Sequence, residues 1–287
     1  MKRIKIIVLI FLLTLTFPSL LMAAEGDPAE SDATLQIAIN TIWVLLAAFL
    51  VFFMQAGFGM VEAGFIRAKN TSNILTKNFL DFCMASLGFF MFGYAIMFGT
   101  GNDFLGLSGW FLIDAKSASG DVPLFAYWLF QAAFCGATAT IVAGGMAERM
   151  KFPAYLIYSF IISAFIYPLV GHWIWGGGWL ADLGFLDFAG PTVVHTVGGM
   201  AALIRTIILK PRIGKYRKDG SANLIAGHNI PLASLGVFIL WFGWFGFNAG
   251  STIAVDPGGE LISHIAMNTS IAAVAGASPL WQPSGSG

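Results

Sequence analysis

The sequence predicts an all-α polytopic membrane protein. Three observations predict it. Hydrophobic residues make up 57 % of the chain and charged ones 10 %. Apolar runs long enough to cross a bilayer core of about 30 Å recur along its whole length. The basic residues are sorted between alternate connecting segments instead of scattered. A mean hydropathy of +0.78 lies far from that of an ordinary soluble domain. The net charge of +0 hides the sorting and points to no partner, and no nucleic-acid partner is expected. Cys83 and Cys135 both sit inside apolar runs, as buried small hydrophobes do, and lack metal-ligand spacing.

Residues 1–24 have the form of a signal peptide: a basic start (Lys2, Arg3, Lys5), an apolar centre and a small-residue end at Ala23 and Ala24. The mature N-terminus, with Glu25, Asp27, Glu30 and Asp32, is then expected outside. Spanning helices are expected near 36–61, 78–100, 124–147, 153–173, 190–209, 230–250 and 261–277, about seven in all within one membrane domain over 25–277. The last ten residues, SPLWQPSGSG at 278–287, turn abruptly polar and predict a flexible tail.

Orientation follows from the charges. Arg67, Lys69, Lys77, Arg149, Lys151, Arg205, Lys210, Arg212, Lys215, Arg217 and Lys218 fall at the ends or in the loops after spans one, three and five. Only Lys116 falls in the other set, which instead carries Asp103, Asp114, Asp121, Asp182, Asp187, Asp256 and Glu260. Basic loops face the cytoplasm, so the expected setting is an inner (cell) membrane with the N-terminus and Asp187 outside.

Small residues inside the spans predict close helix packing. Gly243, Gly246 and Gly250 share one face of span six, and Gly136, Ala139 and Ala143 share one face of span three.

The histidines differ in setting. His228 sits in a basic loop, while His172 and His264 fall near the outer ends of spans, where an interfacial role suffices. His195 lies about five residues into span five, or about 8 Å along the axis. Charge is costly there, so a neutral imidazole is expected, facing a cavity or held in a satisfied structural contact. Asp187 precedes Pro191, a residue suited to a first helical turn. It is placed to cap the helix and also to lend negative potential to an approaching cation. Trp175, followed by Gly176 to Gly178, stands at the outer end of span four. Phe134 lies in span three, with Phe247 and Ser251 at the outer end of span six. Aromatic residues at these depths anchor a span at the interface or, around a common cavity, form a cation–π site.

Four stretches carry a resemblance: FFMQAGFGMVEAGFIRAKNTSNILTKNFLDF, FQAAFCGATATIVAGGMAERMKF, HWIWGGGWLADLGFLDFAGPTVVHTVGG and LWFGWFGFNAGS. Together they resemble the ammonium transporter (Amt/Mep/Rh) family over nearly all the chain to about Ala277. The resemblance implies a substrate, ammonium or ammonia, recruited by Trp175, Phe134 and Ser251 with support from Asp187. It also implies a gate of Phe134 and Phe247, and a hydrophobic pore lined by His195. It implies neither cofactor nor metal, no enzymatic activity, a homotrimer in membrane lipid, and a PII-type signal protein as a partner at the cytoplasmic face, where the loop from Lys210 to Lys218 is available.

The family pattern is eleven helices in two inverted repeats plus a final helix. This chain matches the first repeat and about two helices of the second, so a C-terminally truncated member is expected. The second pore histidine of the pattern would come from a later span. Residues 1–287 made alone are accordingly expected to conduct poorly, which a methylammonium uptake assay checks. Two other readings stand beside transport. One is a non-transporting ammonium sensor or inactive fragment. The other is an intramembrane enzyme or metal protein using His172, His195 and His264, which lack ligand spacing.

Overall fold

The computed structural model describes residues 28–277. The expected signal peptide and C-terminal tail lie outside them. The chain falls into two units, Met1–Leu35 and Gln36–Gly287. Of the first, residues 28–35 are described and helical. The second is a helical bundle, and among the described residues the only extended pairings are the isolated bridges Gly101–Gly106 and Tyr216–Ala222.

Seven long helices follow in order. Helix α1 is Pro28–Phe65. Helix α2 runs as Thr71–Gly88, a wide π turn Phe89–Gly93, and Tyr94–Phe98. Helix α3 is Leu124–Met146. Helix α4 is Phe152–Ile161, the wide turn Ile162–Ile166, and Tyr167–Ile174. Helix α5 opens in a wide turn, Pro191–Thr196, and continues as Val197–Leu209. Helix α6 is Ile230–Asn248, tightening over Ala249–Thr252, and α7 is Glu260–Ala277.

About seven spans were expected and seven long helices form; among the described residues six of them are long and apolar enough to cross a membrane. The seventh forms where expected but is not one of the six: Ser263, His264, Asn268, Thr269 and Ser270 dilute its apolar run. Helix α2 also begins well before residue 78, at Thr71, so Lys77 lies inside it and is buried, not in a loop.

Helix α3 is apolar all round and buried on nearly every face, as an inner helix must be. It packs against α2 and α5, and α4 packs against α2. Its neighbours turn other faces outward, where Phe49, Phe79, Ile207 and Phe238 are exposed in the manner of a lipid-facing surface. The glycine face of α6 meets α1 as the spacing predicts. A Cβ on Gly243 would stand 2.1 Å from Met54, and one on Gly246 would stand 2.7 Å from the Ala47 carbonyl. Backbone-to-backbone approach of this kind associates helices where no hydrophobic drive exists.

On the basic-loop face, Glu148 ties three connections together. Its side chain is fully buried. Oε1 accepts from Arg67 Nε at 2.9 Å and Asn70 Nδ2 at 2.5 Å, and Oε2 from Arg212 Nη1 at 2.9 Å. Burial works to raise its pKa, but the hydrogen bonds from Arg67, Asn70 and Arg212 outweigh it and hold the carboxyl down at about 2.

Candidate functional site

The site is built at the acidic-loop end of the bundle, starting from the entry to α5. Gly190 has φ +90°, a left-handed conformation that glycine adopts without cost, and a Cβ there would stand 2.7 Å from Val194. That turn folds Asp187 back over the helix start. Its Oδ1 accepts from Gly190 N at 2.6 Å, and its Oδ2 from Thr192 N and Val193 N at 2.9 Å each. The carboxylate therefore satisfies amides that a helix N-terminus leaves free, the capping role expected of it. The Asp187 carbonyl accepts from Trp175 Nε1 at 2.6 Å, which fixes the indole against the same turn.

From Trp175 a column of rings runs inward. Trp175 meets Phe134 edge-on at 6.2 Å between centroids. Phe134 meets Phe247 at 4.2 Å, and Phe247 meets the His195 imidazole at 5.5 Å. Phe134 and Phe247 are fully buried, while Trp175 and His195 are half-buried. Three helices (α3, α5 and α6) and the end of α4 thus bring the six residues singled out in the sequence to one place.

A cavity lies at each end of this column, and Phe188 borders both. The outer one, about 350 Å³, is lined by Phe134, Trp175, Asp187 and Ser251 among others. The inner one, about 470 Å³, is lined by His195, Trp244, Asn248, Asn268 and Thr269. Ser251 donates its hydroxyl proton to the Phe247 carbonyl at 2.6 Å, which leaves the oxygen lone pairs free to accept. Neither ring nitrogen of His195 meets a hydrogen-bond partner among the described residues. The imidazole thus enters the inner cavity with its donor and acceptor both open.

Two residues of the outer cavity escaped the sequence reading. Gln131 and Tyr127 lie one and two turns before Phe134 on α3. Gln131 Nε2 donates to the Tyr127 hydroxyl at 3.0 Å, while its buried Oε1 has no partner. The i, i+3 spacing from Phe134 was the available signal. The remaining histidines do other work. His172 is buried at the end of α4, with Nδ1 2.9 Å from Met97 O and Nε2 2.7 Å from Asn102 O, and so ties α4 to the loop after α2. His228 contacts Ile66 O at 3.0 Å. Among the described residues no group of three or more His, Cys, Asp or Glu is placed to hold a metal ion.

Fold and site together define a multi-pass α-helical membrane protein with a column of rings between its helices and a cavity at each end of it. The family model of the Ammonium Transporter Family matches residues 42–281, and the chain belongs to that family. It is 48 % identical over 274 residues to ammonium transporter Amt2 of Archaeoglobus fulgidus, covering 90 % of this chain and 57 % of that one. It is 47 % identical to a putative ammonium transporter of Synechocystis, covering 89 % of this chain and 59 % of the relative. Among solved structures it superposes on a sensor Amt protein with TM-score 0.81 and 42 % identity, covering 85 % of this chain and 62 % of the other. For Mep2 of Candida albicans the values are 0.69 and 32 %, covering 80 % and 52 %. The chain thus spans a little over half the length of these curated relatives.

Proposed function

We propose that the protein, with the remainder that its relatives carry, moves ammonium or ammonia across a membrane. The observation that carries this reading is the ring column from Trp175 through Phe134 and Phe247 to His195, with a cavity of cation-binding chemistry at the Trp175 end and an open imidazole in a second cavity at the other. An ammonium ion in the outer cavity meets the ring faces of Trp175 and Phe134, the lone pairs of Ser251 and the free carbonyl oxygen of Gln131. Asp187 adds negative potential without touching the ion, because its oxygens are held by the α5 amides. Ammonium donates four hydrogen bonds and can lose a proton, whereas K⁺ can do neither. His195 then accepts a hydrogen bond or that proton once the ion has shed water.

In this reading the basic loops face the cytoplasm of a cell with an inner membrane, the Trp175 cavity faces outward, and the protein assembles as a trimer. The basic stretch 210–218 is the surface offered to a PII-type partner. The test is uptake of labelled methylammonium by cells lacking their own transporters, supplied with the full-length protein. Wild type is expected to take it up, and His195→Ala to lose most of that flux. Saturable ammonium binding by purified protein that shows no flux in vesicles would replace transport with sensing.

A further inference from the structure

A second group of ionisable side chains lies inside the bundle, on another face of α3. Asp81 of α2 is 0 % exposed. It stands about ten residues past Thr71, roughly 15 Å along the helix, level with Thr140, six residues before the end of α3 at Met146. Its Oδ2 is 2.8 Å from the Thr140 hydroxyl, which also stands 2.7 Å from Gln55 Oε1 and 3.0 Å from Gly136 O. Three acceptors thus surround one hydroxyl proton. Asp81 Oδ1 has no partner, and the Tyr155 hydroxyl, itself 1 % exposed and unpartnered, faces the same carboxyl.

No cation neutralises Asp81. Lys77, one turn earlier, donates to Met150 O at 2.9 Å and lies 5.4 Å above the Tyr155 ring. An ionised carboxylate solvated only by neutral hydroxyls (Thr140 in direct contact, with Tyr155 and Ser159 beside it) is costly inside the bundle, and such a group binds a proton instead. A neutral Asp81 donates to the Thr140 oxygen and leaves the Thr140 proton for one of the other acceptors. Glu62 provides the way in. It lines a pocket of about 280 Å³ at the basic-loop face whose mouth carries Arg149 and Arg212. On the inner side, with its amide turned to match its neighbours, Asn78 donates to Glu62 Oε2 at 3.1 Å and accepts from Gly59 N at 3.1 Å.

From this geometry we propose that Glu62 and Asp81 form a proton-binding half-channel, open to the basic-loop face and ending inside the bundle on Asp81. It is separate from the His195 passage and does not depend on ammonium being the cargo. Its filling is a single proton transfer: a hydronium ion in the Glu62 pocket becomes water, and a carboxylate oxygen becomes a carboxylic acid. The other titratable groups around Asp81 are Glu62 on α1, Lys77 on α2, Cys135 on α3, and Tyr155 and Tyr158 on α4. Arg205 of α5 lies 5.1 Å over the Tyr158 ring.

The test is infrared spectroscopy of the carboxylic C=O stretch, on purified full-length protein in lipid nanodiscs without ammonium. Wild type is expected to show a band from a buried neutral acid that shifts on transfer to D₂O and is lost in Asp81→Asn. Glu62→Gln is expected to keep the band but slow its deuterium exchange at least tenfold, because the way in has lost its relay. Thr140→Val, which removes the hydroxyl partner, is expected to shift the band. Identical wild-type and Asp81→Asn spectra, or exchange as fast in Glu62→Gln as in wild type, would overturn the proposal. Should Asp81→Asn fail to fold, an unshifted band in Thr140→Val overturns it. The readout needs no substrate, so its failure leaves the transport reading untouched.

Discussion

An indole binds a cation weakly while the ion keeps its water and more strongly once that water is gone, at about 2 kcal/mol when desolvated. In the proposed transport reading, that makes Trp175 an affinity residue. Trp175→Leu is expected to raise the half-saturating ammonium concentration about thirtyfold, the ratio that corresponds to about 2 kcal/mol, with much less effect on the maximal rate. An equal drop in both parameters would place the indole at the barrier instead. Asp187 is both a cap and a charge, and two substitutions separate these roles. Asp187→Ala loses all three amide contacts and is expected to cost about 1–2 kcal/mol of stability as well as uptake. Asp187→Asn keeps one acceptor oxygen, so it is expected to retain most of the stability while losing the potential and with it ammonium affinity. If Asn supports wild-type affinity, the electrostatic role is wrong. The six site residues were legible in the sequence because each sits in a distinctive stretch. Glu62 and Asp81 were not, since the charge count by loop left acidic residues inside or beside the spans out of account. Lys77 and Asp81, four apart and so on one helix face, carried the missing signal.

At the scale of the helices, the decisive element is the start of α5. A wide π turn over Pro191–Thr196 carries His195 at its fifth position, and Gly190 in a left-handed conformation hands the chain into it. Proline predicted the helix start well. No sequence signal distinguishes a wide turn from a regular one, because the two share the same residues and differ only in which carbonyl each amide reaches. Gly190→Ala is expected to destabilise the protein by about 1–2 kcal/mol through its backbone conformation, with more from the contact 2.7 Å away at Val194. Uptake should fall along with it, as Asp187 and His195 both hang on this turn. Normal stability and flux in that variant would show that the turn tolerates another shape. The α1–α6 seam makes a similar demand. Gly243→Leu must displace Met54 at 2.1 Å and is expected to cost about 1–3 kcal/mol by overpacking. Here periodicity was informative, for glycines three and four apart have no other shared purpose on a lipid-embedded helix.

At the scale of the whole molecule, the connections after α1, α3 and α5 meet on one carboxylate. The basic residues that set orientation also fasten the bundle at that face: Arg67 and Arg212 converge on buried Glu148. The charges from which the orientation was expected gave no sign of this convergence, which depends on loops far apart in sequence. It has a pH signature with a definite sign. The carboxyl stands at about 2 in the folded protein against an ordinary 4.5, so its contribution is fully present above about pH 5. As pH falls below 4.5 the unfolded chain takes up a proton that the folded one refuses, and the contribution drains away until both are protonated near pH 2. Charged hydrogen bonds of this kind contribute about 2 kcal/mol. Unfolding midpoints measured in detergent micelles between pH 7 and pH 3 should therefore fall on the acid side for wild type. Glu148→Gln should begin lower and lack that part of the acid dependence. Parallel curves for the two proteins would mean that Arg67 and Arg212 are held by the loops rather than by the carboxylate.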